Sequence, residues 1–195
     1  AGDFNGDGKG DVIVGAYLDD NNSEADSGSA FIFFGGITGT KNADTDANVI
    51  LNGQDAGDNF GKYVASAGDF NGDGKGDVIV GADQDDNNGD ASGSAFIFFG
   101  GITGTKDADN DADVILNGQS ANDLFGESVA SAGDFNGDGK DDVARLWNIN
   151  GTVNIDVYVS QGLSFAKGTW LSNSGTFERE HKWFVADFNG DDAVD

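Results

Sequence analysis

The chain has no cysteine, so it can form no disulfide and do no thiol chemistry. Its one histidine, His181, has no second histidine and no cysteine to complete a soft-metal or catalytic site, and a surface or edge role is expected for it. Basic residues are scarce, 10 against 35 acidic, for a formal charge of −25. Nucleic acid and anionic membrane surfaces both need positive charge on the protein and are therefore excluded as partners. No apolar run approaches the 18 residues of a membrane-spanning helix, so no membrane insertion is expected. No P-loop, dinucleotide fingerprint or G-x-S-x-G elbow is present, and no catalytic constellation is legible. The expectation is a protein that is not an enzyme.

What the chain has in excess is one acidic loop, written four times: DFNGDGKGD at 3–11, DFNGDGKGD at 69–77, DFNGDGKDD at 134–142 and DFNGDDAVD at 187–195. Asp, Asn, Asp and Asp recur at loop positions 1, 3, 5 and 9. That spacing lets a short turn wrap hard oxygen ligands around one cation, with Ca²⁺ the expected ion. The side-chain ligands would be Asp3, Asn5, Asp7 and Asp11, with the backbone carbonyl of Lys9. The corresponding sets are Asp69, Asn71, Asp73, Lys75 and Asp77, then Asp134, Asn136, Asp138, Lys140 and Asp142. Gly8, Gly74 and Gly139 follow the third ligand, where the sharp turn favours positive φ. The fourth set is Asp187, Asn189, Asp191, Ala193 and Asp195; Asp192 replaces the glycine, so a weaker site is expected. An EF-hand shares the start of this pattern but needs Glu at position 12 and flanking helices. Position 12 here is Val14, Val80 or Arg145, and the flanks read as strands. A second acidic run, DADNDAD at 107–113, reads as a solvated turn; its counterpart NADTDAN at 42–48 keeps only two aspartates.

The loops mark a repeat. AGDFNGDGKGDVIVGA occurs at 1–16 and 67–82, and GSAFIFFGGITGTK at 28–41 and 93–106. Units 1–66 and 67–131 are near copies, 132–184 is a divergent third, and 185–195 begins a fourth. Within a unit the expectation is all-β. Phe60–Gly68, Val78–Ala82, Ser94–Phe99 and Val114–Leu116 read as four short strands, and no segment has a 3.6-residue apolar period. FIFF and VIV are apolar on both faces and must be covered on both, as in stacked sheets. Four short strands per unit suit one β-propeller blade.

FGKYVASAGDFNGDGKGDVIVGA (60–82) and FGESVASAGDFNGDGKDDV (125–143) resemble FG-GAP repeats, the blades of integrin α-subunit-type β-propellers and their bacterial relatives. Residues 143–195, with HKWFVADFNGD at 181–191, resemble the related long bacterial VCBS/FG-GAP-like repeats. The usual proline after Gly-Ala is absent; Tyr17 and Asp83 stand in its place. The resemblance implies tandem four-stranded antiparallel blades, with the calcium loop joining the first two strands of each. It implies a secreted or cell-surface, bacterial-type protein with a structural or adhesive role and extracellular protein or glycan partners. Three units do not close a ring. A partial propeller or a piece of a longer chain is expected, completed by further blades or by other copies. All three tryptophans, Trp147, Trp170 and Trp183, fall in the third unit with Tyr158. They leave a lectin-like glycan module as the alternative, beside an accessory propeller of a secreted hydrolase; burial between blades is the plainer reading of these aromatics.

Overall fold

A computed structural model describes residues 1–20, 24–134, 138–149, 152–160 and 165–171, with side chains described through residue 143. Among these residues, twelve strands form three four-stranded sheets, with two single-turn helices between strands. The second sheet is the complete unit: β4 (Tyr63–Gly68), β5 (Asp77–Ala82), β6 (Ser94–Phe98) and β8 (Val114–Asn117), all antiparallel in that spatial order. The third repeats the pattern with β9 (Ser131–Gly133), β10 (Asp142–Ile149), β11 (Thr152–Ser160) and β12 (Phe165–Leu171). The first holds β1 (Val12–Ala16), β2 (Ser29–Phe33) and β3 (Val49–Asn52). This is the all-β, blade-like architecture expected of a propeller segment.

The sheets stack because their central strands are apolar on both faces. In β5, Val78 and Val80 point to the first sheet and pack among Ile32, Val49, Leu51 and Phe96. Ile79, between them, points the other way and packs with Ala95, Ile97, Phe125 and Val143 toward the third sheet. Phe60 stands edge-on to Phe96 (centroids 5.5 Å apart, planes at 68°) and to Phe98 (6.4 Å, 86°). Such pairs add to area burial. The same sequence in the first sheet meets different surroundings. Val12 and Val14 are 57% and 48% exposed, whereas their copies Val78 and Val80 are fully buried. Sequence fixes which face these valines take; a neighbouring sheet decides whether that face is covered.

One expected strand starts later. Phe60 and Gly61 precede β4 rather than belonging to it, and they dock against the sheet before. The Phe60 N–H donates to the Ser27 carbonyl at 3.0 Å, and the Phe125 N–H to the Ser92 carbonyl at the same distance. A Cβ placed on Gly15 would come within 1.9 Å of the Gly61 carbonyl oxygen, and one on Gly81 within 2.1 Å of that of Gly126. The glycine of each Gly-Ala pair is therefore a bare patch of strand on which the next Phe-Gly pair rests.

The sequence reading missed β7 (Gly104–Asp107). It leaves the second sheet after β6 and pairs in parallel with the outer strand of the first, Val49 opposite Gly104 through Asn52 opposite Asp107. The first sheet is thus antiparallel except for this added strap. GITGTK is identical at 36–41 and 101–106, yet only the second copy forms a strand. Pairing with β3 makes the strand; propensity does not.

The helices α1 (Ala43–Asp46) and α2 (Ala108–Asp111) are also additions to the sequence reading. They explain the acidic runs. Asp46 Oδ2 accepts the N–H of Asn42 at 2.8 Å, and Asp111 Oδ2 that of Asp107 at 2.9 Å, each closing its own turn. Asp113 Oδ2 accepts the Phe99 N–H at 2.7 Å. Among the described residues no helix is long and apolar enough to cross a membrane.

Candidate metal-binding loops

The acidic loops lie on one rim; the second and third join the first strand of their sheet to the second, and the first leads from Gly2, bridged to Asp11, into β1. In the first, Asp3 Oδ1 accepts the Asp7 N–H at 3.0 Å and Oδ2 the Gly8 N–H at 2.8 Å. Asn5 Oδ1 accepts the Asp7 N–H at 2.8 Å, and Asp7 Oδ1 the Lys9 N–H at 2.9 Å. The second loop repeats this network with Asp69, Asn71 and Asp73, every distance within 0.1 Å. In the third, Asp134 accepts from Asp138 and Gly139, and Asp138 from Lys140. Asn136 lies outside the described residues. Gly8, Gly74 and Gly139 have φ of 84°, 86° and 85°, the left-handed geometry the turn demands.

Position 9 differs in kind. Asp11 and Asp77 are 6% and 0% exposed, and Asp142 is also fully buried. Asp77 Oδ2 accepts the N–H groups of Phe70 (2.9 Å) and Asn71 (3.2 Å), while Oδ1 accepts that of Gly100 (2.8 Å). Asp11 does the same with Phe4, Asn5 and Gly35. This carboxylate ties the loop to itself and to the end of the neighbouring strand. Burial pushes Asp77 up to about 6, against the opposing pull of those three N–H donors. Exposed Asp7 moves the other way, lowered first by its side-chain bond to Lys9 Nζ, 3.1 Å away.

Adjacent loops touch. The Gly76 N–H donates to the Asp3 carbonyl at 2.8 Å, and the Asp141 N–H to the Asp69 carbonyl at 3.2 Å. Asp141 Oδ2 in turn accepts the Asp69 N–H at 2.8 Å. Lys75 runs alongside Gly6, and Lys140 alongside Gly72. Each lysine stem therefore crosses the loop of the preceding unit, placing a cation among crowded carboxylates.

Among the described residues, no three His, Cys, Asp or Glu side chains stand close enough together to hold a metal as placed. The donor set nonetheless suits a hard cation. It is all oxygen, it repeats three times in one order, and every carboxylate oxygen that accepts a single N–H above, Oδ1 of Asp11 and Asp77 included, keeps a second lone pair. The fourth loop (Asp187, Asn189, Asp191, Ala193, Asp195), His181 and Trp183 lie outside the described residues, as do the side chains of Trp147, Tyr158 and Trp170.

Asp83, at the position where a proline is usual after Gly-Ala, is buried, and its Oδ2 is bound by Lys62 Nζ. The sequence alone gave no sign of this pair, because the partners are far apart along the chain.

The FG-GAP repeat family model matches residues 1–33, 63–98 and 125–144. Those matches contain the loops at 3–11, 69–77 and 134–142 and the Phe125-Gly126 docking point, while Phe60 and Gly61 lie just before the second match. The chain is 31% identical over 148 residues to Integrin alpha-PS5 of Drosophila melanogaster, across 74% of this chain and 14% of that protein. It is 32% identical over 148 residues to Integrin alpha-4 of Xenopus laevis, across 74% of this chain and 13% of that protein. The chain therefore spans about one-seventh of the length of these relatives.

Proposed function

Since the chain belongs to the FG-GAP repeat family, with repeats of integrin α type, we propose that it is a non-enzymatic propeller segment whose blades are stapled by calcium. Its place is outside the cell, secreted or on the surface, and its role is structural or adhesive. The observation that carries this is the oxygen-rich loop, built the same way on one rim of successive sheets. Asp3, Asn5, Asp7, the Lys9 carbonyl and Asp11 would hold one ion, with the equivalent sets in the second and third loops and a weaker fourth at 187–195. Ca²⁺ would supply the positive charge that the clustered carboxylates lack, and its ligands would fix each hairpin.

The exposed face of the first sheet belongs to the same reading. Val12 and Val14 repeat the valines that the second sheet buries, Ile37 is 48% exposed, and the strap sequence at 36–41 is unpaired. That face suits another blade of the same repeat type. For the 195-residue chain by itself, the available blade is that of a second copy.

Native mass spectrometry reads both claims at once. In calcium, each chain is expected to carry three or four ions, and Asp69→Ala with Asp73→Ala should remove one. The particle should contain more than one chain, and Val12→Asp with Val14→Asp should return it to one. A calcium-free chain would sink the first claim, and a single-chain particle the second.

A further inference from the structure

The rim opposite the loops carries a second group of carboxylates that the calcium reading does not use. Asp58 follows β3, Asp85 follows β5, and Asp109 sits in α2, so three segments meet where the first and second sheets join. Asp58 and Asp85 are 8% and 4% exposed. The Asp58 carbonyl accepts the Gln84 N–H at 3.3 Å, a backbone tie across the seam. Asp58 Oδ2 accepts the Asp55 N–H at 3.2 Å. Asp85 Oδ1 accepts the Asn87 N–H at 3.0 Å and the Ser94 hydroxyl at 2.8 Å. Asp109 Oδ1 is buried and meets no donor.

The charges that act most strongly on these groups are all negative. Asp58 faces Asp85, Asp55 and Asp109; Asp85 faces Asp86 and Asp55; Asp109 faces Asp85 and Asp55. Lys62, the nearby cation of this segment, is committed to Asp83. Carboxylates taken from water and set against one another resist full ionisation.

We propose that this seam is an acid-closed latch, in which Asp58, Asp85 and Asp109 let the first two sheets stay together while they carry protons and loosen them once all are ionised. Burial, and then the neighbouring carboxylates, push Asp58 up to about 7, and burial raises Asp85 and Asp109 as well. Acids whose folded values are raised bind protons more tightly in the folded state. The Asp58 contribution is complete below the ordinary carboxylate range near 4, declines as pH rises, and is gone above about 7; those of Asp85 and Asp109 run in the same direction. The matching residue at the next seam, Asp123, is exposed, so the device belongs to the first seam alone.

Amide hydrogen exchange on the 195-residue chain tests this, at the lowest calcium concentration that saturates the hairpin loops. The protection factor of the Gln84 N–H should fall about tenfold or more between pH 5 and pH 8. In Asp58→Asn it should change less than about twofold, and Asp123→Asn should behave as the parent. Asp109→Asn gives the same reading should Asp58→Asn fail to fold. A parent whose protection is flat with pH, or an Asp58→Asn protein that keeps the fall, overturns the latch. So does a parent whose protection at pH 8 climbs to its pH 5 value as calcium is added, for the seam would then be a cation site.

Discussion

Asp77→Ala is expected to destabilise the protein by about 3 kcal/mol, lowering Tm by roughly 6–12 °C. The side chain is fully buried and accepts three backbone N–H bonds, from Phe70, Asn71 and Gly100. Its removal strands those donors, one of them in a bond that is itself buried. The loss should persist in EDTA, because the clasp is made by the backbone and needs no cation. Asp73→Ala provides the contrast. Asp73 is exposed and accepts the Lys75 N–H, together with a contact from Asn71. Its loss should cost under about 1 kcal/mol in EDTA and more in calcium. Calorimetric melts of both variants with and without EDTA separate the two roles. Equal costs for Asp77→Ala and Asp73→Ala in EDTA would contradict the distinction.

Gly81→Ala is expected to be as damaging although it adds only a methyl group. The new Cβ would lie 2.1 Å from the Gly126 carbonyl oxygen and 3.0 Å from its carbon, both backbone atoms that cannot swing aside. Either β5 shifts or the Phe125–Gly126 segment lifts, and Phe125 is part of the core between the second and third sheets. A cost of about 3 kcal/mol fits the upper range for overpacking. Gly74→Ala is the control: nothing lies within 4 Å of its Cβ position, and only its φ of 86° opposes the change. That substitution should cost about 1–2 kcal/mol. Urea midpoints rank the pair, and hydrogen exchange in the Gly81→Ala protein should show the loss of protection concentrated at Phe125 and β9. An unaltered midpoint for Gly81→Ala would show that the Phe-Gly docking does not hold the sheets together.

The legible parts of the fold were those written in short-range pattern. VIVGA and SAFIF announce strands with two coverable faces because every position is apolar or small, and the loop announces itself by polar spacing repeated at 66 and 65 residues. The strap β7 was not legible, since the identical GITGTK is a strand only where the edge of β3 is there to receive it. The single-turn helices escaped because four residues carry no apolar period; their aspartates close turns through oxygens the pattern cannot assign. Position 9 of the loop read as one more ligand among equals. Its burial depends on the Gly35 or Gly100 amide, reached across 24 or 23 residues of chain. Asp58, Asp85 and Asp109 share no motif at all and meet only because the two sheets stack.

Calcium as the staple of the blades is tested most directly by the thermal unfolding of the 195-residue chain in 10 mM calcium and in excess EDTA. Extracellular calcium modules bind with Kd of about 10⁻⁴–10⁻³ M, so three filled loops contribute about 4–8 kcal/mol at that concentration. The account predicts a Tm roughly 10–30 °C higher in calcium. The same Tm in both solutions would contradict it.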